Sequence, residues 1–244
     1  MASRFTWFTG SNRPLWVAVQ GGGIALFYFG QHPALIVLGL GIFMAGAARD
    51  LPAALWWVLW LSPFYRFPKQ FGGPEFVLSE VLILAAAATW VGGQAFQLAT
   101  GRLGLRELVR DLHQALVPAG PPVLLGVATL SLLWAEYPHV ALREYRRVVL
   151  EPLVFYFLAL QTVRPNELPG WVFGGFTVAG AVVGLYTLYH YYFVGVTEAT
   201  GGVERALAIY HSPNALALYL GKLIPPALVL AAGWGGWGRL AAGF

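Results

Sequence analysis

Long apolar runs separated by short polar segments make up most of the chain. A helix needs roughly 20 apolar residues to cross a membrane, so the pattern predicts an all-α fold: a polytopic transmembrane helical bundle of about eight spans. The third run has only about a dozen residues, and we expect a tilted, broken or partial helix there. No run shows the strict alternation of a strand. The expected spans, in a single domain over residues 1–244, are 14–29, 33–48, 51–63, 76–98, 121–136, 140–162, 170–194 and 213–233.

The composition agrees with a membrane protein. Of the 244 residues, 58% are hydrophobic and 11% are charged, whereas a soluble domain carries about 25% charged residues. The absence of cysteine excludes disulfides, thiol catalysis and cysteine-bound metal. The histidines show no metal-ligand spacing and no phosphate-binding glycine loop is present, so we predict no metal, no cofactor and no nucleic-acid partner. Gly21–Gly23, inside the first span, predict close helix packing.

The basic residues orient the spans. Loops rich in arginine face the cytoplasm, and a cytoplasmic N-terminus satisfies this rule for many of them. Segment 102–116 also has leucines at helical spacing opposite its arginines. This predicts an amphipathic cytoplasmic helix on the anionic leaflet, with a partner-binding helix as the alternative. The arginines placed inside are Arg4, Arg13, Arg49, Arg102, Arg106, Arg110, Arg164 and Arg239.

The same orientation leaves a second group of basic residues on the outer face, where arginine is unusual. Each of them needs a local reason, such as an anionic ligand or an acidic partner. The group comprises Arg66, Lys69, Arg143, Arg146, Arg147 and Arg205.

One outer arginine, Arg205, precedes a helix start. Ser212 suits the N-cap and Pro213 the first helical position, where its missing N–H costs nothing. The dipole and free amides of this helix end, which includes Asn214, favour an anion. A short loop could fold Arg205 over the helix end to make a phosphate or pyrophosphate clamp. The alternative is an arginine that contacts lipid headgroups beside an ordinary helix start.

Three more arginines cluster at the outer end of the sixth span. Arg143 and Arg147 are one helical turn apart and share a face. Glu151 follows Arg147 by another turn, so these two residues are expected to pair, while Arg146 points about a quarter-turn away. The cluster predicts a second anion site. A snorkelling arginine group with a structural ion pair is the alternative.

Glu80 lies about one turn into the fourth span, where a carboxylate needs a partner of opposite charge or a hydrogen-bond donor. Its candidate partners are Arg66, Lys69 or an arginine of the second cluster, and we expect a supporting ion pair for it as for Glu151. His139 and His211, at outer loop ends, are candidate general bases; the alternative is that they are tolerated interfacial residues.

Three segments, in this order, resemble the O-antigen ligase and Wzy polymerase family. They read PFYRFPKQFGGPEFVLSEVLILAAAATW, SLLWAEYPHVALREYRRVVLEPLVFYFLAL and RALAIYHSPNALALYLGKLIP. The resemblance covers most of the chain from about residue 60 on. Two positions depart from the family signature: Ala208 stands where glycine is usual, and His211 where the residue is usually small.

The resemblance implies a multi-pass glycosyltransferase of the bacterial inner membrane that works on the periplasmic face in lipopolysaccharide or polysaccharide synthesis. Its substrate would be a glycan on undecaprenyl diphosphate, transferred to lipid A core by a ligase or to another glycan by a polymerase. Arg205 matches a diphosphate-binding arginine of the family, and one of Arg143, Arg146 and Arg147 matches another. Family members are longer and carry the catalytic histidine on a large periplasmic loop. We therefore expect the chain to correspond to the N-terminal two-thirds of such a protein, without the catalytic base.

Two other functions fit the same residues. A transporter of a small anion would use the outer basic residues together with Glu80, Glu151 and Lys222 inside the spans. Such proteins often have two matching halves, and no internal repeat is visible. A non-catalytic membrane subunit or a fragment would need none of this chemistry.

Overall fold

The structure is a computed structural model in which helices account for most of the described chain, so the predicted all-α class is confirmed. It describes residues 13–70, 75–116, 120–162, 170–195, 197–200, 203–207, 209–210 and 212–233. The cytoplasmic placement of the N-terminus rests partly on residues outside these ranges. Arg4, Arg164, Ala208, His211 and Arg239 also lie outside the described residues.

The chain divides into two compact units, each of which is described by itself. The first unit comprises Met1–Leu55 and Glu80–Glu167, and the second comprises Trp56–Ser79 and Leu168–Phe244.

The first unit is built from helices. It contains α1 (Arg13–Phe29), α2 (Pro33–Arg49), the first residues of α3 (Leu51–Leu61), α4 (Leu78–Ala99) from its third residue, α5 (Leu105–Leu116), α6 (Gly120–Ser131), α7 (Pro138–Tyr145) and α8 (Glu151–Thr162). A 3₁₀ turn, Leu132–Trp134, extends α6, and a π-turn, Arg146–Leu150, joins α7 to α8 without a break.

The second unit combines helices with two antiparallel hairpins. It contains the rest of α3, a 3₁₀ turn at Ser62–Phe64, β1 (Lys69–Gln70), β2 (Glu75–Phe76), α9 (Gly170–Tyr189) with a π-turn at His190–Val194, β3 (Thr197–Thr200), β4 (Val203–Ala206) and α10 (Pro213–Gly233). The hairpins correct the sequence-based expectation, which included no strands. These strands have two or four residues and are largely polar, so they lack the apolar alternation that marks a strand.

The first two helices pack at close range through glycine. A Cβ atom added to Gly23 would lie 2.8 Å from both the carbonyl oxygen of Gly39 and the backbone nitrogen of Phe43. Only a residue without a side chain allows the two backbones to approach so closely. The close packing predicted for the glycine run is therefore found at Gly23, whereas a Cβ at Gly22 would meet nothing within 4 Å.

Asp50 joins α2 to α3. Its backbone N–H closes α2 on the carbonyl of Gly46, and its Oδ1 atom accepts the N–H of Ala53 at 3.1 Å, which caps α3. The fully buried amide of Gln20 donates from Nε2 to the Asp50 carbonyl oxygen at 3.0 Å. Arg13 lies nearby, with its Nε atom 3.7 Å from Asp50 Oδ2. One acidic residue thus anchors three helices.

Among the described residues, one helix, Leu78–Ala99, is both long and apolar enough to cross a membrane. Three further apolar helices are shorter: Pro33–Arg49, Leu51–Phe64 and Gly120–Trp134. The helix at the third apolar run is short: α3 ends at Leu61, and a 3₁₀ turn that contains Pro63 follows it.

Candidate functional site

The first candidate site lies in the second unit, around the start of α10. Arg205 occupies the strand β4, and its side chain is exposed. The register of the hairpin places Glu198 of β3 directly opposite Arg205.

The helix start itself is formed as the sequence predicts. The hydroxyl of Ser212 accepts the N–H of Ala215 at 3.2 Å, and Pro213 is the first residue of α10. The N–H of Leu216 donates to the Ser212 carbonyl oxygen at 3.3 Å, and proline has no N–H to offer. In this first turn, the exposed Asn214 therefore supplies the backbone donor that remains for an anion.

The turn between the hairpin and α10 is held from inside. Ile209 and Tyr210 are buried in a small core with Val183 of α9 and Leu216 of α10. The guanidinium of Arg66 donates from Nη1 to the carbonyl oxygen of Ile209 at 3.0 Å. This bond gives Arg66 a role that the sequence did not indicate, because its partner is a backbone atom of a distant turn.

Three tyrosine side chains surround this turn. The ring of Tyr210 lies 6.0 Å from that of Tyr65 and 5.6 Å from that of Tyr219, measured between centroids. The hydroxyls of Tyr210 and Tyr219 are buried and have no hydrogen-bond partner within the described part of the chain. Burial raises the pKa of the Tyr210 phenol, and the neighbouring Tyr219 and Tyr65 raise it further. Tyr210 is therefore a neutral hydroxyl at physiological pH.

The second candidate site lies in the first unit and is an ionic bridge. Arg146 places Nη2 2.9 Å from Oε1 of Glu80, and Nε 3.7 Å from Oε1 of Glu151. The Glu80 side chain is only 2% exposed and that of Glu151 13%, whereas the Arg146 side chain is 45% exposed. Of the three partners that the sequence offered for Glu80, the structure selects an arginine of the second cluster.

The π-turn explains why Arg146 rather than Arg147 pairs with Glu151. In an α-helix, Glu151 would share a face with Arg147, four residues earlier. Here the N–H of Glu151 donates to the carbonyl oxygen of Arg146, five residues earlier, as in a π-helix. The wider turn brings Arg146 onto the face of Glu151. The pairing of Arg147 with Glu151 expected from the sequence is thus replaced by the Arg146 pair.

The other two arginines of the cluster have different surroundings. Arg143 lies 3.3 Å from the carboxylate of its neighbour Glu144, and both side chains are more than half exposed. Arg147 is half-buried, and its Nε atom is enclosed without a hydrogen-bond partner within the described residues. No ion pair of Arg147 occurs in this described part of the chain.

The predicted site residues therefore fall into two groups. Arg205, Ser212, Pro213 and Asn214 belong to the second unit, and the ion-pair residues Glu80, Arg146 and Glu151 belong to the first, together with Arg143 and Arg147. His139, a candidate base, lies in the first turn of α7. The described residues contain no group of three or more acidic, histidine or cysteine side chains that could hold a metal ion.

Comparisons with models of known protein families, with curated proteins and with solved structures found no match for this chain.

Proposed function

We propose that this protein is a bacterial inner-membrane glycosyltransferase that takes a glycan from undecaprenyl diphosphate on the outer face of the membrane. The acceptor is lipid A core or another glycan. The proposal includes the eight-span bundle with a cytoplasmic N-terminus. Its support is the apolar composition, the order of the three family-like segments, and the close agreement between the predicted apolar runs and the helices.

The exposed apolar surface of the helices also supports a membrane location. α6 buries none of its side chains, and Leu133 and Trp134 in the following 3₁₀ turn are 76% and 77% exposed. Contiguous apolar surface of this kind is unfavourable in water and is satisfied by lipid or by a partner. The side chains of this helix fit contact with acyl chains.

The observation that carries the proposed chemistry is the position of Arg205. It is an exposed guanidinium on a hairpin that leads directly into a fixed helix start. The Arg66–Ile209 hydrogen bond and the buried Tyr210 hold the intervening turn. A guanidinium that precedes the positive end of a helix dipole by a short turn suits a diphosphate.

The same arrangement fits glycan transfer. The acceptor hydroxyl attacks the anomeric carbon, and the bond from that carbon to the phosphate oxygen breaks. Negative charge develops on the departing diphosphate, where Arg205 and the amide of Asn214 would stabilise it. The acceptor hydroxyl loses its proton to a base, which in the family that the chain resembles is a histidine outside the three segments found here.

The proposed function is tested by transfer in cells. A strain whose own gene carries Arg205→Ala is expected to lose the transferred surface glycan and to accumulate the lipid-linked precursor, at an unchanged protein level. Arg102→Ala, which removes another exposed arginine outside this site, is the matched control. Normal surface glycan in the Arg205→Ala strain would refute the proposal. Uptake of a small anion by proteoliposomes containing the wild-type protein would favour the transporter instead.

A further inference from the structure

The helix α5 is amphipathic, and its apolar side chains are exposed. Leu105, Leu108 and Val109 lie at helical spacing and form one face, which is called the apolar face below. Two arginines one turn apart, Arg106 and Arg110, lie on a different face and are exposed. Leu105 is 68% exposed and Val109 56%, so the described part of the apolar face is largely uncovered.

Nothing in the described part of the chain covers this face. No other helix or strand of the described residues packs closely against α5. Exposed apolar side chains gathered on one face are unfavourable in water, and such a surface contacts lipid or a protein partner. The sequence leaves both possibilities open, whereas the position of α5 directly after α4 favours lipid.

The length of α4 fixes where α5 begins relative to a bilayer. Among the described residues, α4 is the helix that is both long and apolar enough to cross a membrane. Its 22 residues extend over about 33 Å, close to the roughly 30 Å of the hydrocarbon core. When α4 spans the bilayer, its last residue, Ala99, therefore lies at the boundary between lipid and water. Residues 100–104 alone separate it from α5.

The turn after α4 is fixed by Gly101. Its φ angle of 67° lies in the left-handed region, which glycine adopts without strain. The N–H of Gly101 donates to the carbonyl oxygen of Leu98 at 3.1 Å, and the N–H of Arg102 donates to that of Gln97 at 2.9 Å. These two bonds and the left-handed glycine make up a Schellman motif, which ends a helix and sets the direction of the chain that follows.

The first turn of α5 is closed by a reciprocal cap. The N–H of Gly104 donates to Oε2 of Glu107 at 3.4 Å, and the N–H of Glu107 donates to the carbonyl oxygen of Gly104 at 3.0 Å. Local hydrogen bonds therefore order both ends of the connection between the helices. Because α5 starts within a few residues of the end of a spanning helix, lipid is the apolar phase nearest to its exposed face.

We propose that α5 is an interfacial helix, which inserts its apolar face into the lipid surface at the end of α4 and is directed there by the turn at Gly101. Arg106 and Arg110 face the headgroups and water. The helix carries two arginines and two acidic residues, so apolar contact rather than net charge binds it to the surface. The inference rests on the membrane location within the proposed function and is independent of the proposed glycan chemistry.

The test uses nitroxide labels on single cysteines, since the chain has no cysteine of its own. The full chain is placed in phosphatidylcholine nanodiscs, and each label is exposed to oxygen, which concentrates in lipid, or to a water-soluble nickel chelate. Val109→Cys reports on the apolar face, and its neighbour Arg110→Cys is the matched control on the polar face. Val91→Cys, an exposed position of α4, reports on the membrane span.

We expect the ratio of oxygen to chelate accessibility to be at least about threefold higher for Val109→Cys than for Arg110→Cys, with Val91→Cys also in lipid. If Val91→Cys is in lipid and both labels on α5 are equally open to the chelate, the interfacial helix is refuted and the membrane location stands. A Val109→Cys label shielded from both reagents indicates a protein contact and also refutes the inference. A Val91→Cys label in water refutes the membrane location itself.

The role of the turn is tested in the same assay by Gly101→Ala. Alanine disfavours the left-handed conformation, so the turn should open and the contrast between the Val109→Cys and Arg110→Cys labels should fall by about twofold or more. Gly92→Ala, in α4, is the matched control, because an added Cβ there meets nothing within 4 Å and the backbone is helical. A contrast that survives Gly101→Ala unchanged overturns the role of the turn in directing α5.

Discussion

Arg66 donates a hydrogen bond to the carbonyl oxygen of Ile209, 143 positions further along the chain, at a distance of 3.0 Å. The bond ties the loop after α3 to the turn that precedes α10. It connects one residue from each of two of the three segments that resemble a glycan-transferase family, and both residues belong to the second compact unit.

Arg66→Ala is expected to destabilise the protein. Loss of the charged donor to this carbonyl should lower the free energy of unfolding by about 1–3 kcal/mol, because the turn that carries Ile209 and Tyr210 then lacks this hydrogen bond. Thermal unfolding in detergent, with Arg102→Ala as the exposed-arginine control, measures the difference. A melting temperature equal to that of the control would show that the bond contributes nothing.

The ionic bridge of the first unit gives a second prediction. Glu80→Leu leaves the partly exposed Arg146 with one carboxylate fewer, and we expect a loss of about 1–3 kcal/mol after allowing for solvent screening. The loss in the double variant Glu80→Leu/Arg146→Leu should be smaller than the sum of the losses in the two single variants, because both substitutions remove the same ion pair. A double variant whose loss equals that sum would contradict this account of the bridge.

Two neighbouring glycines in α1 allow the effect of backbone packing on stability to be measured apart from the effect of helix propensity. Gly23→Ala places a methyl group 2.8 Å from two backbone atoms of α2, which cannot move aside independently, so it should destabilise by about 1–3 kcal/mol. Gly22→Ala meets nothing within 4 Å and should be neutral or stabilising by up to about 1 kcal/mol, as expected for alanine inside a helix. The two melting temperatures would be equal only if α1 and α2 did not pack as described.

Asp50 gives a prediction about pH. Burial raises the pKa of this carboxyl above its ordinary value of 3.8, although the Ala53 N–H and Arg13 act in the opposite direction. The folded protein therefore keeps a proton that the unfolded chain has released, and its stability falls as pH rises from 3.8 through the raised pKa. Asp50→Asn keeps the oxygen that caps α3 and cannot titrate, so its unfolding should vary less across this window. An identical pH profile in the variant would contradict the shift.

The helices were largely predictable from the apolar runs. The runs 14–29 and 213–233 correspond to α1 (Arg13–Phe29) and α10 (Pro213–Gly233). Such helices can be predicted because the residues that start, continue and end a helix are neighbours in the sequence. The hairpin β3–β4 also had a local signal. Gly201 and Gly202 separate its two strands in the sequence, and a two-glycine spacer is typical of a hairpin.

The side-chain partners were less predictable. Helical spacing predicts an ion pair between Glu151 and Arg147. The π-turn shifts the register by one residue, so Glu151 pairs with Arg146 instead. The Arg66–Ile209 bond depends on which distant segments meet, and spacing along the chain carries no such information. Ser212 was predictable as an N-cap, because its partner Ala215 lies within the same turn.

The decisive measurement is the affinity of the wild-type protein and of Arg205→Ala for undecaprenyl diphosphate in phosphatidylcholine nanodiscs. Because Arg205 is exposed on its strand, the variant should keep the wild-type melting temperature. We predict that it binds the carrier about tenfold more weakly or worse, as the loss of a charge-assisted contact implies. Equal affinity of the two proteins, with both fully folded, would contradict the proposal that Arg205 holds the diphosphate.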